Sequence, residues 1–194
     1  GMGGMVAGPK SNQPLEGYRG QLNDRCVTVA QVLRESGYAT LMSGKWHLGP
    51  PWPDQKGFEE YFGLLGGFNS FWSPTPYSRL PEGRPMRTYP EGQFYSTNAI
   101  TDHAIDFLGG ARKQKKPYFL YLAYNAPHFP LHAPKDVIDQ YAAMYEQGWD
   151  RIREQRFKRQ REMRLVDSTW EFTPRCVIPP NRVATPDGWA NQQN

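Results

Sequence analysis

Between Gly37 and Gly49 the chain runs Gly-Tyr-Ala-Thr-Leu-Met-Ser-Gly-Lys-Trp-His-Leu-Gly, an order that suits a strand delivering a short polar loop. Tyr38 to Met42 carry side chains that fit a pleated, half-buried surface, and Gly44 ends the run and lets the backbone turn. Lys45 and His47 follow at once. At the carboxyl end of a strand in an open α/β sheet, such side chains reach the crevice where these folds hold ligands. Lys45 offers a compact positive charge and His47 a group that exchanges a proton near neutral pH, a pairing suited to an anionic ester. On spacing alone, the ordinary alternative is a Lys-x-His in a solvated loop.

The flanking segments predict the elements of an α/β unit. Thr28-Val29-Ala30-Gln31 has the S/T-x-x-E/Q form of a capping box, so a helix starts there with Val29, Val32 and Leu33 as its apolar face and Gly37 as its end. A second helix is expected over 97–108. Ile100, Ala104, Phe107 and Leu108 form its stripe, Ser96 or Thr97 its cap and Gly109-Gly110 its stop. His103, between stripe and polar face, is expected to hydrogen-bond or meet solvent. Tyr118 to Tyr124 are almost all apolar or aromatic, as in a central parallel strand covered on both faces.

That strand leads into Asn125-Ala126-Pro127-His128-Phe129-Pro130-Leu131-His132-Ala133-Pro134, a stiff loop in the same relative place as the Lys45 loop. His128 and His132 have the i, i+4 spacing of a helical metal pair, but Pro130 between them argues against a helix, and a zinc site from His47, His128 and His132 is the weaker reading. Between the two loops, Pro50, Pro51 and Pro53 forbid a regular element directly after Gly49, and 69–92 looks like a long irregular connection. Tyr77, Arg79, Arg84 and Arg87 lie on it as candidates to touch a substrate, with a variable surface loop as the plainer reading.

Beyond Pro134 a helix is expected to Gln147, with Val137, Ile138, Tyr141, Met144 and Tyr145 on one stripe. Seven arginines and lysines then crowd 149–164: Arg151, Arg153, Arg156, Lys158, Arg159, Arg161 and Arg164. With almost no aromatics interleaved for stacking on bases, this is a solvated helix face rather than a nucleic-acid reader. Past Val166, four prolines suggest an extended tail.

Composition sets the remaining bounds. The 194 residues suffice for one domain, yet hydrophobic residues are only 38%, mean hydropathy is -0.74, and there are 18 prolines and 19 glycines. That is thin for a self-sufficient core, and neither end has a periodic face, so a fragment is expected. A net charge of +4 fits an anionic substrate or a nucleic-acid surface equally. Cys26 and Cys176 could form one disulfide or stay thiols, which leaves the redox compartment open. No apolar run approaches 18 residues, so no membrane span is expected.

The string from Gly37 to Gly49 resembles the sulfatase signature G-Y-x-T-x-x-x-G-K-W-H-L-G without a mismatch. Gly57-Phe58-Glu59-Glu60-Tyr61-Phe62-Gly63 is similar to the family's G-F-D-x-F-F-G pocket-rim segment, and 126–134 to its A-P-H-x-P-L-x-A-P. The resemblance is to the arylsulfatase branch of the alkaline-phosphatase-like superfamily. It implies a partial catalytic domain over residues 1–194, an incomplete α/β three-layer sandwich with a mostly parallel sheet: 28–134 would be the core with the active-site loops, 135–194 a helical and extended insertion.

For function, the resemblance implies a sulfuric ester hydrolase acting on aryl or carbohydrate sulfates, with no nucleic-acid or membrane partner and a periplasmic or secreted parent. Lys45 would meet a sulfate oxygen, His47 would assist the nucleophile and sulfate release, and His128 would contact the leaving group; His132 falls at a variable position and inherits no role. The family's formylglycine nucleophile and calcium are implied for the full-length parent only. Neither cysteine stands in C-x-P-x-R, the family's acidic metal ligands find no match, and no metal ligand is assigned. The chain alone is therefore expected to be inactive. Two other readings stay open: a phosphodiesterase or phosphonate hydrolase on the same scaffold, and a noncatalytic module that binds polyanions through the 149–164 arginines.

Overall fold

The computed structural model describes residues 22–174, which fall in two compact units divided between Ala133 and Pro134. The first contains helix α1 (Val29–Glu35), strand β1 (Ala39–Gly44), a single 3-10 turn (Pro53–Lys56), β2 (Glu60–Leu64), β3 (Tyr77–Leu80), helix α2 (Ser96–Lys113) and β4 (Tyr118–Ala123). The second contains α3 (Lys135–Tyr145) and α4 (Trp149–Glu162).

The four strands form one sheet in the order β3-β2-β1-β4. β1 runs parallel to both β2 and β4, while β3 pairs antiparallel with β2. All six residues of β1 are buried, the mark of a parallel strand covered on both faces. Its side chains alternate between two layers. Ala39 and Leu41 pack with Ala99, Ile100, Phe107 and Ala111 of α2, and Ser43 Oγ donates to the Ile100 carbonyl at 2.7 Å. On the other side Met42 packs with Ala30 of α1 and with Trp46, Phe58 and Tyr61. The fold class is the expected one: a mostly parallel sheet flanked by helices, of the alkaline-phosphatase-like kind.

The capping box of α1 is complete. Thr28 Oγ1 accepts from Gln31 N at 3.2 Å, and Gln31 Oε1 accepts from Thr28 N at 2.9 Å. Its buried face is not the expected one: Val29 and Val32 are more than half exposed, and Ala30 is buried instead. The cause is Gly57, where an added Cβ would stand 2.5 Å from the Gln31 nitrogen. The chain at Gly57 presses on α1 at residues 30 and 31, and that contact sets its rotation.

Other elements depart from the expectation for physical reasons. Residues 60–64 and 77–80 are strands, too short to show a period and stabilised by partners distant in sequence. Helix α2 passes through Gly109 and Gly110 to Lys113, although each glycine costs about 1 kcal/mol against alanine, because burying Ala111 rewards the extra turn. Tyr95, not Ser96 or Thr97, is its N-cap residue. β4 is an edge strand among the described residues, and Tyr118, Tyr121 and Leu122 are exposed rather than covered. The stripe on α3 exists but faces solvent, with no buried residue on that helix.

In the second unit, the segment after α4 folds back on it. The Arg153 guanidinium lies 4.1 Å from the Phe172 ring centroid and donates to the Thr173 carbonyl at 2.8 Å; Arg161 donates to the Ser168 carbonyl at 2.8 Å. The rest of the expected tail, with Cys176 and its pairing, lies outside the described residues. Among the described residues no helix is long and apolar enough to cross a membrane.

Candidate active site

Parallel strands β1, β2 and β4 end on one side of the sheet, and the segment after β1 is hydrogen-bonded to both neighbours. Lys45 N donates to the Ala123 carbonyl at 2.8 Å, Trp46 N to Leu64 at 2.9 Å and His47 N to Leu65 at 3.2 Å. This approach requires Gly44: its φ is 127°, and an added Cβ would lie 1.8 Å from the Ala123 oxygen. Trp46 turns inward, packs edge-on against Phe58 with ring centroids 6.5 Å apart, and donates from Nε1 to the Gly49 carbonyl at 2.8 Å. His47 takes a left-handed φ of 54°, which costs about 1–2 kcal/mol for a residue with a Cβ. The buried Trp46 and the bond to Leu65 hold it there, so the imidazole is presented by a fixed backbone.

The loop after β4 brings the second histidine. Asn125 is buried and its Nδ2 donates to the Tyr77 hydroxyl, tying the loop to β3. His128 N then donates to the Asn125 carbonyl at 2.9 Å, and the His128 Nδ1–H donates to the Phe129 carbonyl. With Nδ1 so engaged, Nε2 is the nitrogen left to meet a ligand.

The electrostatics bring the three groups together. Burial pushes the Lys45 ammonium below its usual pKa. Burial likewise lowers His47, and the charges of Lys45 and then His128 lower it further. An ammonium and an imidazole whose charged forms are both disfavoured by burial form a site that gains by receiving an anion. A third wall comes from the loop after β2. An added Cβ at Gly67 would stand 3.0 Å from His47 Nε2, and the Phe68 ring lies nearly parallel to His128, 12° apart with centroids separated by 5.9 Å.

The other candidates lie elsewhere. His132 Nδ1 accepts from Phe71 N at 3.3 Å, and its ring packs on Phe71 and Trp72. Tyr77 is in the core; Arg79 pairs with Glu60 and lies 4.6 Å from the Phe107 ring centroid. Arg84 reaches Glu60 at 3.5 Å and Arg87 reaches Asp106 at 2.6 Å, so the structure gives all three arginines carboxylate partners. His103 is 2% exposed, stacked on Phe62 with centroids 3.7 Å apart, and its Nε2 has no hydrogen-bond partner. Burial, then the charge of Arg79, pushes its pKa down to about 4. Neither expected role for His103, a hydrogen bond or exposure, matches this stacked, buried ring.

Three contributors escaped the sequence reading. Asn125 stands immediately after an apolar run, where only its position hints at an anchor, and Gly67 and Phe68 follow a strand too short to recognise. Among the described residues, no group of three or more His, Cys, Asp or Glu side chains could hold a metal, and Cys26 is exposed.

The fold and the loops define an α/β protein whose Lys45, His47 and His128 sit at the carboxyl edge of a parallel sheet and suit an oxyanion. The Sulfatase family model matches residues 5–171, and the chain belongs to that family. It is 34% identical over 180 residues to the arylsulfatase of Klebsiella aerogenes, covering 86% of this chain and 38% of that protein. It is 36% identical over 178 residues to a sulfatase of Schizosaccharomyces pombe, covering 84% and 31%. The solved structure of Ps i-CgsB aligns with a TM-score of 0.50 at 33% identity, over 58% of this chain and 29% of that one. The chain thus spans about a third of the length of these proteins.

Proposed function

We propose that Lys45, His47 and His128 form the sulfate-binding and proton-handling part of a sulfuric ester hydrolase of the arylsulfatase kind. The observation that carries this reading is the geometry at the ends of β1 and β4: Lys45 N bonds to the Ala123 carbonyl at 2.8 Å, and the Gly67-Phe68 pair lies against both His47 and His128. The Lys45 ammonium binds a sulfate oxygen, and the lower dielectric of its partly buried position strengthens that attraction. His128 presents Nε2 to the leaving oxygen and, when protonated, gives it a proton as the ester bond breaks. His47, beside Lys45, serves the attacking hydroxyl and the release of sulfate. These contacts are preplaced, so charge that develops in the transition state meets donors that need not reorganise.

In the whole enzyme, formylglycine supplies the nucleophile and calcium neutralises the sulfate. In this chain neither Cys26 nor Cys176 stands in C-x-P-x-R, and the described residues gather no metal-binding group, so the residues at hand bind, orient and transfer protons. The 194-residue chain accordingly binds aryl sulfates without turning them over. Calorimetric titration with p-nitrophenyl sulfate tests the reading. Saturable binding, weakened about tenfold in Lys45→Ala and in His128→Ala by the loss of a charge-assisted contact, is the expected result. Equal affinity in all three proteins, or tighter binding of a bis-aryl phosphate diester, would refute a sulfate-directed site.

A further inference from the structure

The ring of Phe68 is 67% exposed although it stands beside His128 of the candidate site. Among the described residues its ring stacks on His128 alone, nearly parallel at 5.9 Å. An aromatic side chain left largely open to water beside a charged site is an unsatisfied apolar surface, which a bound ligand can cover. The loop is fixed from below. His47 N bonds to the Leu65 carbonyl, and Gly67 approaches His47 so closely that a side chain there would touch the imidazole. Gly67 therefore lets the backbone lie against one histidine while the next residue lays its ring alongside the other.

We infer that Phe68 is a specificity-determining residue, a flat wall beside His128 that stacks on a ring-shaped alcohol part of the ester and so favours aryl and sugar sulfates over open-chain alkyl sulfates. This inference rests on the anion-binding reading of Lys45, His47 and His128. Because His128 faces the leaving oxygen in that reading, a ring attached to this oxygen comes within reach of the Phe68 face. Offset stacking of two flat rings in this geometry contributes about a three- to tenfold gain in affinity. A flexible alkyl chain gives up its rotamer freedom to make the same contact and gains less.

The test uses the 194-residue chain and three probes: inorganic sulfate, p-nitrophenyl sulfate and n-hexyl sulfate, each titrated by calorimetry. The expected result is a preference for the aryl ester over the alkyl ester that drops about three- to tenfold in Phe68→Leu and returns in Phe68→Trp. An aryl-to-alkyl ratio equal in the native chain and Phe68→Leu would overturn the role of Phe68 and leave the anion site standing. If none of the three probes binds the native chain, the anion-binding reading fails and the inference falls with it. Circular dichroism of each variant shows that the loop substitution left the fold in place, and Phe68→Trp supplies a second, conservative readout at the same position.

Discussion

His47 holds a left-handed backbone at φ 54° that few residues with a Cβ tolerate, and it does so against Gly67, where an added Cβ would stand 3.0 Å from its Nε2. Strain of this kind persists when the surroundings over-determine it, here through buried Trp46 and the bond to Leu65. Gly67→Ala should push the imidazole aside. We expect p-nitrophenyl sulfate affinity to fall several-fold with a melting temperature close to that of the native chain, because residue 67 lies in a loop outside the sheet. An unchanged affinity would show that the position of this ring does not matter. Lowered by burial first and by the neighbouring Lys45 charge next, the His47 imidazole is neutral at pH 7 and gains a charge only in acid. Anion affinity should therefore rise as the pH falls below about 6.5 and lose that dependence in His47→Gln.

His103 makes a second prediction at the scale of a residue. Folding lowers its pKa from 6.5 to about 4, so above pH 6.5 the ring is neutral in both folded and unfolded chains and its contribution is fully present. As the pH falls from 6.5 towards 4, the unfolded chain takes up a proton that the folded chain refuses, and stability is lost by roughly 3 kcal/mol across that window. Urea midpoints at pH 7 and pH 4.5 should show most of this loss in the native chain and little of it in His103→Leu.

At the scale of elements, the site is made where three strands stop. Gly44 lets β1 end against β4, and Gly44→Ala would meet both the φ of 127° and the Ala123 oxygen 1.8 Å away. We expect destabilisation of about 3 kcal/mol or more, read as a shift in the urea midpoint, because backbone rather than a flexible side chain must yield. A near-native midpoint would mean the two strand ends separate easily. β1, the capping box of α1, both loop histidines and the helix at 149–162 were legible because each has a local cause: a run, a cap, a proline or a charge pattern. β2, β3, Asn125 and Phe68 were not, since each depends on a partner distant in sequence, such as Leu41 for Glu60 or Tyr77 for Asn125. The cover of β4 was misjudged for a related reason: an apolar run shows what a strand can bury, whereas exposure depends on which elements stand beside it. On α4, Arg153 and Arg161 are engaged with the segment that follows, which favours a packing role over polyanion capture. Replacing Arg151, Arg156 and Arg159 with glutamine should therefore leave p-nitrophenyl sulfate affinity unchanged, whereas a polyanion-binding module would lose salt-sensitive heparin binding with the same three changes.

At the scale of the whole molecule, the proposed reading gives a chain that spans about a third of its relatives' length the grip on the anion, with no gathered metal site among its described residues. Binding and turnover are thereby separable, and the four histidines allow the binding to be followed ring by ring. The most direct measurement is a histidine-resolved NMR titration of the chain with p-nitrophenyl sulfate, repeated in Lys45→Ala. The account predicts that the His47 and His128 ring signals shift together with one saturating dissociation constant, that His103 and His132 stay in place, and that the response weakens about tenfold without the Lys45 ammonium. Independent titration curves for His47 and His128, or shifts centred on His132, would contradict a shared oxyanion site.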